Sequence, residues 1–334
     1  MFTSSSEIHD LFRQFEGLKV MIIGDVMIDT YLRGKVDRIS PEAPVPVVAL
    51  QKRVDMLGGS ANVALNVKAM GAYPILCSVI GDDAQGPEFM HLLEKENIDR
   101  SGIVVAPGRI TTTKYRIIGN NTQMLRVDHE TDTDLSQDIE VTLLNSITSL
   151  IRQQKPSVII LQDYNKGVLT AGVITSLIQI AKDSLIPVAV DPKKKNFSLY
   201  KSVRLFKPNL KEIREGLKID LSPVSPKSLQ AAAEQLCRDQ HVDTVMITLS
   251  EEGVFVHDRD FSGIIKGHPR SVADVSGAGD TVVSVAALCL ATGVKSGTMA
   301  ALANLAGGQV CESVGVVAVN KDALLNEAER HLLK

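Results

Sequence analysis

Residues 274–281 read Asp-Val-Ser-Gly-Ala-Gly-Asp-Thr and run directly into the apolar stretch VVSVAALCLATG over 282–293. This pattern predicts a helix that starts at the glycines. Small residues there expose backbone N–H groups, and the helix dipole favours an anion. Gly277, Ala278 and Gly279 would then cradle a phosphate, with Asp280 beside it on the first turn. A carboxylate in that place can accept a proton from a hydroxyl attacking a γ-phosphate. A plainer reading also fits: a capping loop whose Asp supplies a favourable first-turn charge. The stretch is not a Walker A loop, because the chain has no GxxxxGK[ST].

Working outward, short apolar runs end in polar residues. Lys19–Ile23 leads to Gly24-Asp25, with Asp29 close behind. Pro74–Ile80 leads to Gly81-Asp82-Asp83, Ser157–Leu161 to Gln162-Asp163, Pro187–Val190 to Asp191-Pro192-Lys193, and Thr244–Thr248 to Leu249-Ser250. Helical patterns separate them at Ala61–Met70, Pro87–Glu96, Ser136–Gln154, Ala171–Asp183 and Ser228–Gln240, and Ser6 is placed to cap a first helix to Glu16. Strand–helix alternation of this kind predicts a three-layer α/β/α fold around a mostly parallel sheet. Ligands gather outside the carboxyl ends of such strands. Two regions break the rhythm. Residues 30–51 hold three prolines in six residues (41–46), which excludes a helix there and favours an edge strand. Residues 110–128 hold two β runs around Gly119-Asn120-Asn121, a hairpin signal. Together they would make a small antiparallel lid on a single domain spanning 1–334.

Composition narrows the class. The 334 residues carry a net charge of −3, which points to neither nucleic acid nor anionic lipid. No run of about 18 apolar residues is present, so no transmembrane helix is expected, and no secretory signal is visible. Cys77, Cys237, Cys289 and Cys311 lack metal or CxxC spacing and read as buried thiols of a reducing cytoplasm. The absence of HExxH weighs against a zinc hydrolase. No GxGxxG follows the first strand, which weighs against a nicotinamide dehydrogenase.

Two further clusters each admit two readings. Asn209 and Glu212 have the spacing of a helix capping box, and equally of a pair near hydrated Mg²⁺ and nucleotide phosphates. Gly58-Gly59-Ser60-Ala61-Asn62 begins a helix that Ser60 could cap, and equally lets the backbone approach a ligand while Asn62 meets hydroxyls. Asp25 and Asp29 suit sugar diols, although loop acids are common.

The order of these pieces resembles the ribokinase-like (PfkB-type) carbohydrate kinase family over roughly 19–320. The joint pattern is Asp after the first strand, Gly-Gly-x-x-Asn, Asn-x-x-Glu, then Gly-Ala-Gly-Asp. Residues 24–29 (GDVMID) and 38–47 (RISPEAPVPV) resemble the family's kinases of D-glycero-β-D-manno-heptose 7-phosphate. So do Asp163-Tyr164-Asn165-Lys166-Gly167 and Asp191-Pro192-Lys193.

The resemblance implies ATP-dependent phosphorylation at the anomeric hydroxyl, with Asp280 as base and residues 277–279 as anion hole. It implies nucleotide and Mg²⁺ contacts at Asn209, Glu212, Thr248, Ser250, Gly253 and Asn304. Sugar contacts fall at Asp25, Asp29, Gly58, Gly59, Asn62, Asp163, Lys166, Asp191 and Lys193, and a monovalent cation such as K⁺ falls at Asp274 and the 313–317 turn. Counterparts for the 7-phosphate are Arg38, Arg116, Arg126, Lys166, Lys193 and Lys194. Another sugar kinase of the family, or a silent sugar-binding module, are the alternatives. Many proteins of this subgroup carry a second, nucleotide-transferring domain, so adenylyl transfer is expected from a separate protein. Lid edges invite pairing, and a homodimer through the lid is expected.

Overall fold

The computed structural model describes residues 2–333. Its strands are β1 (Lys19–Gly24), β2 (Val26–Ile39), β3 (Pro46–Gly59), β4 (Tyr73–Gly81), β5 (Gly102–Ala106), β6 (Thr113–Gly119) and β7 (Thr122–His129). They continue as β8 (Val158–Gln162), β9 (Val188–Asp191), β10 (Leu205–Phe206), β11 (Thr244–Thr248), β12 (Val254–His257) and β13 (Ser262–Ile265). Nine form the main sheet, in the order β13-β12-β11-β10-β9-β8-β1-β4-β5. It is parallel from β11 to β5, and β12 and β13 extend one edge antiparallel.

Helices cover both faces, so the central strands are apolar throughout rather than alternating. In β1, Val20 and Ile22 pack into one core while Met21 and Ile23 pack into the other. The first core holds helices Ser60–Ala69, Ala278–Ala291 and Ser296–Val310, and the second holds Gln137–Gln154, Ala171–Asp183 and Pro226–Gln240. The helix boundaries follow the sequence pattern to within a few residues. Ser4, not Ser6, caps the first helix (Ser5–Phe15), accepting from the Glu7 N–H at 3.3 Å. Gly59, not Ser60, is the N-cap of the helix Ser60–Ala69.

The second sheet has the order β3-β2-β6-β7. Two antiparallel hairpins, β2–β3 and β6–β7, are joined by a parallel pairing of β2 with β6. It is wider than 30–51 and 110–128, because β2 starts at Val26, one residue after Asp25, and β3 runs to Gly59. The lid is thus an outgrowth of the carboxyl ends of β1 and the start of the helix Ser60–Ala69. The parallel strands run β4 then β5 on one side of β1, and β8 to β11 on the other. The boundary between β1 and β8 is therefore a topological switch point, where α/β sheets bind ligands.

Gly24 sits at that boundary, paired with Gln162 of β8. A Cβ there would overlap the Gln162 carbonyl and lie 2.7 Å from Ser60 Oγ. Neither the backbone nor the helix start can yield without opening the β1–β8 seam. Gly24→Ala should destabilise by about 3 kcal/mol, read as a lower urea midpoint at unchanged slope. An unchanged midpoint would show that the seam relaxes freely.

Candidate active site

Asp280 lies on the first turn of the helix Ala278–Ala291, whose N-cap Gly277 has φ +81°. A Cβ on Gly277 would stand 2.8 Å from Asn62 Nδ2, so glycine there permits both the turn and the approach of Asn62. The Asp280 carboxylate is buried and accepts from Tyr164 Oη at 2.6 Å, Asn62 Nδ2 at 2.8 Å and Gln162 Nε2 at 3.2 Å. Burial pushes its pKa up from 3.8 to about 6, against the Tyr164 and Asn62 hydrogen bonds that favour the charged form. It is a carboxylate poised to take up a proton just below neutral pH.

Next to it stands a buried pair, Lys207 Nζ and Asp191 Oδ2, 3.0 Å apart. Gln162 Nε2 also donates to Asp191 Oδ2, at 3.2 Å. A Cβ built on Gly279 would lie 3.8 Å from both members of the pair. A lysine ammonium thus flanks the helix start, where the Ala278 N–H donates to the Val275 carbonyl at 3.3 Å. Lys207 escaped the sequence reading because it follows β10, a strand of two residues that leaves no periodic signal. Tyr164 and Gln162 were visible only as neighbours of Asp163.

Several expected ligand contacts are occupied otherwise. Asp25 was placed against sugar diols, but its carboxylate is buried and accepts the backbone N–H groups of Tyr164 (2.8 Å), Lys166 (3.1 Å) and Val168 (3.0 Å). Asp163 likewise accepts from the Asn165 N–H (2.7 Å), Asn196 Nδ2 (3.1 Å) and Tyr200 Oη (2.7 Å). Both acids hold the loop after β8, Asp25 through three backbone N–H groups and Asp163 through one N–H and two core side chains. Asn62 points at Asp280, and its Oδ1 accepts from Asn66 Nδ2 at 3.3 Å.

Asp29 is paired with Arg116 of β6, whose guanidinium also lies 5.2 Å from the Tyr31 ring centroid. A Cβ on Gly58 would overlap the Asp29 carboxylate, and Gly59 adopts φ +60° against the Asp25 carbonyl. Lys166 Nζ lies 2.6 Å from Glu130 Oε1, and Lys114 Nζ bridges Asp128 and Glu130 at 3.0 Å each.

The Asn209–Glu212 spacing forms the capping box in full: Glu212 N–H donates to Asn209 Oδ1 (2.9 Å), and Asn209 N–H to Glu212 Oε2 (2.8 Å). Lys193, placed against substrate from sequence, is instead ion-paired with Glu212 Oε1. Each Glu212 oxygen therefore already has one partner, Lys193 on Oε1 and the Asn209 N–H on Oε2. Among the described residues no cluster of three His, Cys, Asp or Glu side chains could hold a metal ion. Thr248 bridges to Asn209 at the end of β11, followed by Ser250 and by Gly253 at φ +99°. Asn304 Nδ2 donates to the Lys266 carbonyl at 3.0 Å, so its amide faces that backbone. Asp274 accepts from the Ser276 and Gly315 N–H groups, both at 2.9 Å, and ties the 274–276 and 315 loops together.

A buried carboxylate, an amide cradle and a covering lid define a phosphoryl-transfer site on sugar-like hydroxyls. The chain belongs to the pfkB family of carbohydrate kinases, whose profile matches residues 18–323. Its relatives include the bifunctional protein HldE of Methylobacillus flagellatus, 40% identical over 310 residues, which are 93% of this chain and 63% of that protein. The chain spans less than two thirds of that relative's length. The fold is ribokinase-like. Escherichia coli phosphofructokinase-2 in complex with potassium superposes with a TM-score of 0.77 at 19% identity, over 95% of this chain and 99% of that one. Arabidopsis thaliana ribokinase with ribose and ATP gives 0.71 at 15% identity, over 92% and 99%. Among the described residues no helix is long and apolar enough to cross a membrane.

The raised pKa of Asp280 has a consequence for stability. The native state binds that proton more tightly than the unfolded chain, so this group's contribution is full below pH 3.8 and is lost as pH rises through about 6. Asp280→Asn removes the titration. Between pH 4 and pH 8 the stability difference should move in the variant's favour by up to about 3 kcal/mol. Paired urea unfolding curves measure this; a difference independent of pH would contradict the burial argument.

Proposed function

We propose that the protein phosphorylates the anomeric hydroxyl of D-glycero-β-D-manno-heptose 7-phosphate with ATP to give the 1,7-bisphosphate. The observation that carries the chemistry is Asp280, buried beside the helix-start amides. The sugar subgroup rests on the HldE relatives at 36–41% identity and on the residues 24–29 and 38–47.

The nucleotide arrives as its magnesium complex, a substrate, along Thr248, Ser250, Gly253 and Asn304. The sugar lies under the lid at Asp29, Gly58 and Gly59. Asp280 takes the hydroxyl proton; the sugar oxygen bonds to the γ-phosphorus as the bond to ADP breaks in line. Amides of residues 277–279 and Lys207 stabilise the charge that spreads over the transferring group. Lid cover excludes water and so limits ATP hydrolysis.

The 7-phosphate needs cations. Cross-strand register puts Lys114 opposite Asp29 and Arg116 opposite Tyr31 and Arg126, so the lid face above the sugar carries Lys114, Arg116 and Arg126. An arginine there can grip a phosphate through two parallel bonds. Lys194, two-thirds exposed beside Glu215, and Arg38, far out on β2, are less suited. A monovalent cation such as K⁺ fits between the loops that Asp274 ties. The reading also places the protein in the cytoplasm, with adenylyl transfer to the bisphosphate supplied outside these residues.

A coupled ADP-release assay over a sugar panel tests this. The heptose 7-phosphate should exceed ribose, fructose and hexose phosphates by at least tenfold in kcat/KM, and Asp280→Asn should lose about 100-fold or more in kcat. Equal turnover of ribose or fructose 6-phosphate would replace the heptose by another family substrate.

We also propose a homodimer through the lid. Its face away from the sugar carries Leu32, Tyr115, Ile117, Leu125 and Val127 in register, and Leu125 and Val127 are about half exposed. An apolar sheet face of this kind is a pairing surface. Light scattering at micromolar concentration should give twice 36.1 kDa, and Leu125→Glu should give the monomer. A monomeric parent protein would remove the proposal.

A further inference from the structure

Three donors already occupy Asp280. An ionised carboxylate offers about four lone-pair directions, two on each oxygen. Oδ1 accepts from Tyr164 Oη at 2.6 Å and from Gln162 Nε2 at 3.2 Å, so both of its directions are filled. Oδ2 accepts only from Asn62 Nδ2, at 2.8 Å. One direction remains, and it belongs to Oδ2.

We propose that Tyr164 is a positioning residue for the base: its hydroxyl closes Oδ1 of Asp280 and thereby assigns proton uptake to Oδ2. For the reacting group this rests on the kinase reading above; the Tyr164–Asp280 pairing itself does not.

Tyr164 suits this part better than the two amides. Gln162 Nε2 gives one N–H to Asp280 and the other to Asp191, both at 3.2 Å and longer than the tyrosine contact. The tyrosine makes the shortest contact to the carboxylate and has a single proton to give. Burial and the Asp280 charge push its phenol well above its ordinary pKa, so it stays a donor and does not compete for the sugar's proton.

A loop residue is a poor anchor unless the loop is fixed, and this loop is fixed from below. Asp25 accepts the N–H groups of Tyr164, Lys166 and Val168, and Asp163 accepts that of Asn165. Lys193 Nζ lies 5.6 Å from the Tyr164 ring centroid and limits its swing. The two acids that face no ligand therefore have a function at one remove: they hold the tyrosine that holds the base.

In the reaction the sugar O–H bond breaks and its proton goes to Oδ2. The oxygen's electron pair forms the bond to the γ-phosphorus, and the bond from phosphorus to the bridging oxygen breaks with its electrons leaving on ADP. Tyr164 keeps donating to Oδ1 throughout, and no proton passes through it. Because its hydrogen bond is stronger to the charged carboxylate than to the neutral acid, losing it favours the acid. The other groups facing Asp280 are Asn62 on its helix, Gln162 on β8, Asp191 on β9 and Lys207 after β10; none of them changes in the test.

The experiment is a titration of the 334-residue protein labelled with ¹³C at the aspartate carboxyls, with the Asp280 signal assigned by its loss in Asp280→Asn. Tyr164→Phe should tighten proton binding at Asp280 threefold or more, a midpoint rise of at least half a pH unit, and the acid limb of kcat/KM should rise with it while the KM for MgATP stays within twofold. Replacing Tyr164 by 3-fluorotyrosine, a stronger donor of the same shape, should lower both, and it serves if the phenylalanine variant does not fold. A midpoint unmoved in either variant overturns the proposal, as does a midpoint that moves while the acid limb does not. If the parent protein forms no ADP with any sugar phosphate, the kinase reading fails, and the titration alone still decides whether Tyr164 sets Asp280.

Discussion

A carboxylate buried at the start of an apolar helix is unfavourable unless donors meet it, and most of the site follows from meeting that need at Asp280. Asn62 reaches it because Gly277 has no side chain in the way. Asn62 is there because β3 ends in Gly58-Gly59 and turns directly into a helix. Tyr164 reaches it because the loop after β8 is held by two buried acids. The Lys207–Asp191 pair brings a compensated charge to the same spot. Each contact draws on a different element, so the base forms only when both sheets and both helices have assembled.

The strand-end acids divide by what donates to them. Asp25 and Asp163 accept mainly from backbone and core side chains, and fix a loop. Asp29, Asp191 and Asp280 pair with side chains that line the site. In the sequence Asp280 stands apart, in small residues before an apolar run, but Asp25, Asp29, Asp163 and Asp191 are simply aspartates at or after apolar runs, and nothing local separates those four. The partners that separate them are far away in the chain: Tyr164 and Asp280 are 116 residues apart, Asn62 and Asp280 218 apart.

What was legible is what local physics decides. Fully buried parallel strands show as apolar runs, and small residues before an apolar stretch show a helix start, so the layers and the start of the helix Ala278–Ala291 could both be read. The Asn209–Glu212 spacing carried two meanings, and the structure realises the capping one without removing the other. Lys207 was silent because its strand is two residues long. Lys193 sat at a strand end, where a ligand was expected, and no local pattern could show that Glu212 would claim it.

Charge pairing explains how a chain of net charge −3 can serve anionic substrates. The cations here are not bare: in the lid Arg116 has Asp29 and Lys114 has Asp128 and Glu130, and on the loop after β8 Lys166 has Glu130. Buried charges are tolerable only when compensated, so an empty site with unpaired arginines would be strained and would attract any anion. The proposed sugar phosphate can replace both halves of such a pair at once. Its hydroxyls satisfy the carboxylate while its phosphate satisfies the guanidinium. A free phosphate would leave Asp29 without its partner, and a neutral sugar would leave Arg116 facing only Asp29. On the proposed function, the Asp29–Arg116 pair would favour a ligand that carries hydroxyl and phosphate on one molecule.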